Sequence, residues 1–149
     1  MVRAEQIAER LPVVGLREGV RSAIDLIVRH DAPAVVVTDD DGRPHATLSA
    51  CDVLGCALPS PVLHSRCLTR VYDEPYADRV IRELTERRVC DLISSAAGKT
   101  PTVDGRATAI ELVEVMRRTG SPFVIVRLSD RSVGMVTARR ILAWVAGAV

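Results

Sequence analysis

The sequence predicts a mixed α/β (α+β) protein built from two copies of one supersecondary unit. Three observations predict it. Ala34-Val35-Val36-Val37-Thr38 is a short β-branched run, followed by Asp39-Asp40-Asp41-Gly42 turn chemistry, a second short strand, and Ser49-x-x-Asp52 at the head of an apolar-periodic segment. A weaker copy of this strand–hairpin–strand–helix order runs from Phe123 to Arg140. The copies also stay in register: Ile27 matches Met116 and Pro33 matches Pro122 at an offset of 89, while Ser49 matches Thr137 and Asp52 matches Arg140 at 88, after a hairpin one residue shorter.

In chain order, residues 4–11 are expected to form a short helix with Ile7, Ala8 and Leu11 on one side, ended by Pro12. Pro12-Val13-Val14-Gly15 is a brief extended piece. Val20, Ala23, Ile24, Ile27 and Val28 recur at helical spacing, and Asp31-Ala32-Pro33 stops that helix. The hairpin follows, then a helix from Ser49 with Val53, Leu54, Ala57 and Leu58 inward, closed by Pro59-Ser60-Pro61. Asp73-Glu74-Pro75 starts a connector helix whose stripe is Ala77, Val80, Ile81 and Leu84. Val89 to Ile93 is a helical entry into the second copy, Ser94 to Lys99 a loop, and Pro101-Thr102-Val103 the counterpart of Pro12-Val13-Val14. Ala109, Leu112, Val113 and Met116 form the next stripe, with Gly120 as its C-cap. Ile141, Leu142 and Val145 face inward from the last helix. Trp144 lies off that stripe, as a contact with another chain or as partial burial at the chain end. The domain reading is 1–58 for the first repeat, 59–88 for a helical connector and 89–149 for the second repeat.

Composition narrows the function classes. The 149 residues are 48% apolar, enough for one core or two small halves sharing one. A net charge of +1 and 3% aromatics argue against nucleic acid as a partner. All basic residues but Lys99 are arginine, a sign of GC-rich codons. No apolar run is long enough to span a bilayer, and Met1 to Arg10 has no signal core, so a cytoplasmic protein without membrane insertion is expected. The cysteines at 51, 56, 67 and 90 form no C-x-x-C pair and are expected as reduced, buried small hydrophobes. Cys51, Cys56, His64 and Cys67 lie close in sequence, but their spacing matches no familiar zinc arrangement. Arg79, Arg82, Arg87 and Arg88 alternate with Asp78, Glu83 and Glu86, the pattern of a solvated, salt-bridged face rather than an anion site. His45 and His64 have no nucleophile or carboxylate at a recognisable spacing.

The order from Val20 through Ile27, Val36 to Arg43 and Ser49-Ala50-Cys51-Asp52 resembles a cystathionine-β-synthase (CBS) domain. So does the order from Pro101-Thr102-Val103 through Met116, Val124-Ile125-Val126 and Val133 to Thr137. Two in tandem resemble a CBS pair, or Bateman module. The resemblance implies β-α-β-β-α repeats packed through their sheets with pseudo-twofold symmetry, and often a homodimer. It implies ligand sensing rather than catalysis: an adenosine-containing ligand (AMP, ADP, ATP or S-adenosylmethionine) bound between the repeats, with the signal passed to a partner such as a transporter or enzyme. No cofactor is required. In the first site, Ser49 and Asp52 would hold phosphate and ribose, with Val14, Ala34 and Val35 lining the adenine slot.

The physical logic supports those roles. A carboxylate in a helix's first turn can accept from both ribose hydroxyls, and a hydroxyl at the helix start suits a phosphate. Ser49-x-x-Asp52 is equally a capping box that needs no ligand, and one residue pair can do both. The alternative function is therefore a ligand-free dimerisation or interaction module. The second site is degenerate: Thr102 and Thr137 are present, but Arg140 stands where the acid belongs, and arginine has no acceptor. That site is either empty or uses Arg139 and Arg140 for phosphate.

Overall fold

The computed structural model describes residues 1–57, 74–96 and 100–149, the side chains of 94–96 aside. Leu58, Pro59, Ser60, Pro61, His64, Cys67, Asp73 and Lys99, and the sequence readings that fall on them, lie outside the described residues. The mixed α+β architecture expected from the duplication is present. The chain forms two units, one from residues 12–97 and the other from residues 1–11 together with 98–149. The boundary follows packing, so it runs differently from the repeat alignment: the first eleven residues join the C-terminal unit, and 74–97 join the N-terminal one.

In the unit 12–97, β2 (Val13–Gly15) runs parallel to β3 (Ala34–Thr38), and β3 is antiparallel to β4 (Pro44–Ser49). The hairpin is held by the Asp39 carboxylate, whose Oδ1 accepts from Asp41 N at 3.0 Å and Arg43 N at 2.9 Å, with Gly42 at φ +77°. Helix α2 (Val20–Arg29) buries Val20 and Ala23 and leaves Val28 in solvent. It is followed by α3 (Ala50–Gly55), α4 (Glu74–Glu86) and α5 (Val89–Ala96). The core combines Val14, Val35, Val37 and Leu48 from the sheet with Val20, Ala23, Val53, Leu84, Val89 and Leu92 from the helices. Residues 94–96, expected in a loop, continue α5.

In the other unit, β5 (Thr102–Asp104) runs parallel to β6 (Phe123–Arg127), which pairs antiparallel with β7 (Val133–Thr137). Helix α6 (Ala109–Thr119) starts at a Thr108–Glu111 capping box and ends at Gly120, whose φ of +70° only glycine adopts freely. Helix α7 (Ala138–Val145) closes the unit. The expected N-terminal helix spans only Ala4–Ile7 (α1). Ala8 turns extended, and Glu9–Arg10 (β1) adds a fourth strand antiparallel to β7, pairing Glu9 with Met135 and Arg10 with Gly134. The sheet order is therefore β1-β7-β6-β5. Ala4 and Ile7 share a core with Leu112, Met116, Val124, Val126, Val136 and Ile141.

The two entry turns are structural copies. Ala4 N donates to Ala107 O and Glu5 N to Gly105 O; at the other unit Val89 N donates to Glu18 O and Cys90 N to Leu16 O. Arg3 N donates to Gln6 Oε1, and Arg88 N to Asp91 Oδ2. Arg3-Ala4-Glu5-Gln6-Ile7 thus corresponds to Arg88-Val89-Cys90-Asp91-Leu92. Each turn packs onto a sheet remote from it in sequence.

Several expected inward residues point to solvent. Leu54, Ala77, Ile81, Val113, Leu142 and Val145 are exposed, and Val115 packs in the core in place of Val113. Short helices laid on three- and four-stranded sheets bury a narrower stripe than the helical period allows. Cys51 and Cys90 are exposed rather than buried. Trp144 is also exposed. The charged face of α4 is exposed, with Arg79 over the Tyr76 ring at 5.1 Å. Among the described residues no helix is long and apolar enough to cross a membrane.

Candidate functional site

The first predicted site lies where β4 hands over to α3. Ser49 is extended (φ −79°, ψ 161°), so its side chain turns back over the helix start. Its Oγ accepts from Asp52 N at 3.0 Å, and Asp52 Oδ2 accepts from Ser49 N at 3.1 Å, which completes the capping box. Asp52 Oδ1 makes no hydrogen bond among the described residues, which leaves one carboxylate oxygen for another partner. Ser49 is paired across the ladder with Ala34, and Ala50 N donates to Pro33 O at 2.9 Å. Ala34, Ser49 and Asp52 are therefore neighbours.

Val14 and Val35 are placed differently. Both lie in the helix-packed core, so their side chains support the sheet from its helix side. Strand alternation puts Ala34 and Val36 on the opposite face, and both are buried there. Val36 was not among the expected lining residues; the period of two along Ala34–Thr38 is the signal that picks it out.

The corresponding position in the other unit has a different chemistry. Thr137 Oγ1 accepts from Arg140 N at 3.0 Å, so the cap survives without an acid. The Arg140 side chain reaches back to the N-terminal segment. Its Nε donates to Ile7 O at 3.1 Å, and its guanidinium lies 3.6 Å from Glu9 Oε1. Phe123 is the ladder partner of Thr137, so it stands where Ala34 stands in the first unit. Thr102 is exposed on β5, opposite Ile125. Arg139 is exposed beside Arg140. The site residues thus fall into two groups, one at each helix head, with Thr102 two strands away from Thr137 in its sheet.

Among the described residues no three His, Cys, Asp or Glu side chains gather as metal ligands. His45 is exposed on β4.

The fold matches known proteins. A family model of the CBS domain matches residues 79–147. A CBS domain-containing protein from Kribbella flavida is 35% identical, with 98% of this chain and 99% of that one covered and a TM-score of 0.70. The CBS domain protein PAE2072 from Pyrobaculum aerophilum, solved in complex with AMP, shares the fold at 19% identity, with coverage of 99% and 100% and a TM-score of 0.62. CBSX2 from Arabidopsis thaliana, also solved with AMP, shares it at 15% identity, with coverage of 99% and 98% and a TM-score of 0.67. No curated protein matches the chain. Two sheets built on one plan, matched caps at 49 and 137, and this identity over nearly the full length lead to one conclusion: the chain belongs to the CBS domain-containing proteins, as a tandem CBS pair.

Proposed function

We propose that this CBS pair is a non-catalytic regulatory module that senses an adenosine-containing ligand and modulates a separate protein. The observation that carries the reading is the arrangement at α3: Asp52 keeps one carboxylate oxygen uncommitted beside the capped Ser49 and the small Ala34. A ribose diol would donate to that carboxylate in a charge-assisted pair. The AMP held by PAE2072 and CBSX2 supports the ligand class. A ligand that prefers one arrangement of the pair, or of a homodimer in the cytoplasm, shifts its population and so changes the surface offered to the regulated transporter or enzyme.

One observation favours the alternative of a ligand-free interaction module: Ser49 and Asp52 already satisfy one another. Thermal shift with AMP, ADP, ATP and S-adenosylmethionine decides. A saturable rise in melting temperature, lost in Asp52→Asn, supports sensing. No rise with any of the four removes the sensing role and leaves the interaction module.

A further inference from the structure

The two copies of the repeat leave corresponding helix faces in solvent, and those faces are not alike. Positions 54 and 142 correspond at the offset of 88. Both are leucines, 65% and 67% exposed, each following a buried residue, Val53 and Ile141. The longer helices correspond at the offset of 89. On α2 the exposed side chains run Arg21, Asp25, Val28; on α6 they run Ile110, Glu114, Arg117. Each set is spaced i, i+4, i+7 and so lies along one side of its helix. The acid keeps its place in both copies, while the arginine and the aliphatic residue have changed ends. Val28 is 74% exposed and Ile110 80%. Leu142 is continued by the exposed Val145 on α7, which packs beside α6. Isolated exposed aliphatics need no explanation, but matched ones on helix faces mark a surface that associates.

The charges differ in the same sense. Residues 12–97 carry ten arginines and thirteen carboxylates, a formal −3; residues 1–11 with 98–149 carry ten basic and six acidic groups, a formal +4. Cys51 on α3 corresponds to Arg139 on α7, and both are exposed. Arg117 and Arg139 have no ion pair among the described residues.

We infer that two copies of this chain associate head to tail, with α2 and α3 of one against α6 and α7 of the other. Like against like, with the helices antiparallel, would set Arg21 on the partner's Val28 and Ile110 on the partner's Arg117. It would also bring Arg139 to the partner's Arg139, and units of one charge sign together. Head to tail, Val28 meets the partner's Ile110, and Leu54 meets the partner's Leu142. Arg21 and the partner's Arg117 then share one end, each with an acid one turn away on its own helix. Cys51 takes the place of the second Arg139, and the −3 unit faces the +4 unit. Twofold symmetry makes this contact twice per dimer. The inference needs no nucleotide and goes beyond the sensing role, which leaves these faces unassigned.

The test is sedimentation velocity of the full chain without nucleotide, where a dimer is expected. Leu142→Glu and Leu54→Lys each place an unpaired charge in the contact twice, and each should raise the dimer dissociation constant by about tenfold or more. Both leucines lie in solvent within the chain, so neither change should move the melting transition at concentrations where the protein is monomeric. Mixing the two variants one to one decides the direction. Head to tail, the introduced carboxylate of one chain meets the introduced ammonium of the other, and Leu54 meets Leu142 at the second contact, so the dimer returns. Like against like, each charge still faces a leucine, and no dimer returns. A monomer at every concentration, or a dimer that both substitutions leave intact, overturns the inference. Variants that are folded and monomeric and stay so on mixing overturn the head-to-tail direction. None of these outcomes bears on whether AMP binds.

Discussion

Replacing Gly134 by alanine should destabilise the protein, although the same change in most strands is favourable. Gly134 lies in β7 directly opposite Arg10 of β1. A Cβ there would sit 2.9 Å from the Glu9 carbonyl oxygen and 3.3 Å from the Ala8 Cβ. The oxygen belongs to backbone, so relief requires β1 itself to move. Overpacking of this kind costs about 1–3 kcal/mol. Against that, alanine lowers the entropy of the unfolded chain and contributes about 0.4–1 kcal/mol in the other direction. A net loss of about 1–2 kcal/mol follows, read from urea unfolding, together with faster amide exchange at Glu9 and Arg10. Gly55→Ala is the control of opposite sign. Nothing lies within 4 Å of its added Cβ, and it sits in a helix, so it should gain up to about 1 kcal/mol. If Gly134→Ala stabilises the protein, or leaves amide exchange near residue 9 unaltered, β1 does not lie against β7 and the N-terminal segment is misplaced.

Three further outcomes follow from the same geometry. Leu112→Ala empties a fully buried site under the second sheet and should cost about 2–5 kcal/mol in chemical denaturation. Arg131 adopts φ +70° in the β6–β7 turn, where the first hairpin has Gly42, so Arg131→Gly should raise stability by up to about 1 kcal/mol on the same measurement. The Glu111 carboxyl lies below its ordinary value, chiefly because it accepts from the Thr108 backbone N–H, then through the Thr108 hydroxyl. A depressed folded value means that its contribution is full above the unfolded value of about 4.3 and is lost as pH falls through the folded one. The stability gap between the unaltered protein and Glu111→Gln should therefore be present at pH 7 and close in acid.

Much of this arrangement was legible in the residues. Periodicity and the matching of Pro33 with Pro122 exposed the duplication, because both copies keep the same turn chemistry in step. The caps at Ser49 and Thr137 were legible because capping is local. Side-chain exposure was harder. Spacing shows that Leu54 and Val53 neighbour each other on one helix, but not that the sheet beneath covers only Val53. The helical entry at Val89 was read, but its kinship with the N-terminal turn was missed because four residues make no period; the shared pattern of Arg3-Ala4 to Ile7 and Arg88-Val89 to Leu92 was the available clue. The exchange of Ala34 for Phe123 was visible at the offset of 89, but its meaning needed the ladder that sets both opposite a capping hydroxyl. The tie from Arg140 to Ile7 spans 133 positions, and no local pattern announces it.

The discontinuous unit also orders events during synthesis. Glu9 and Arg10 leave the ribosome well ahead of their partners Met135 and Gly134. At roughly 5–20 residues per second the leading segment waits on the order of ten seconds for its strand. Residues 12–97 are contiguous and can fold during that interval; residues 1–11 cannot be housed until the rest of their own unit has been made. A nascent chain stalled before Val133 would therefore carry the Glu9–Arg10 strand unpaired, with Val136 and Ile141 still missing from the core around Ile7.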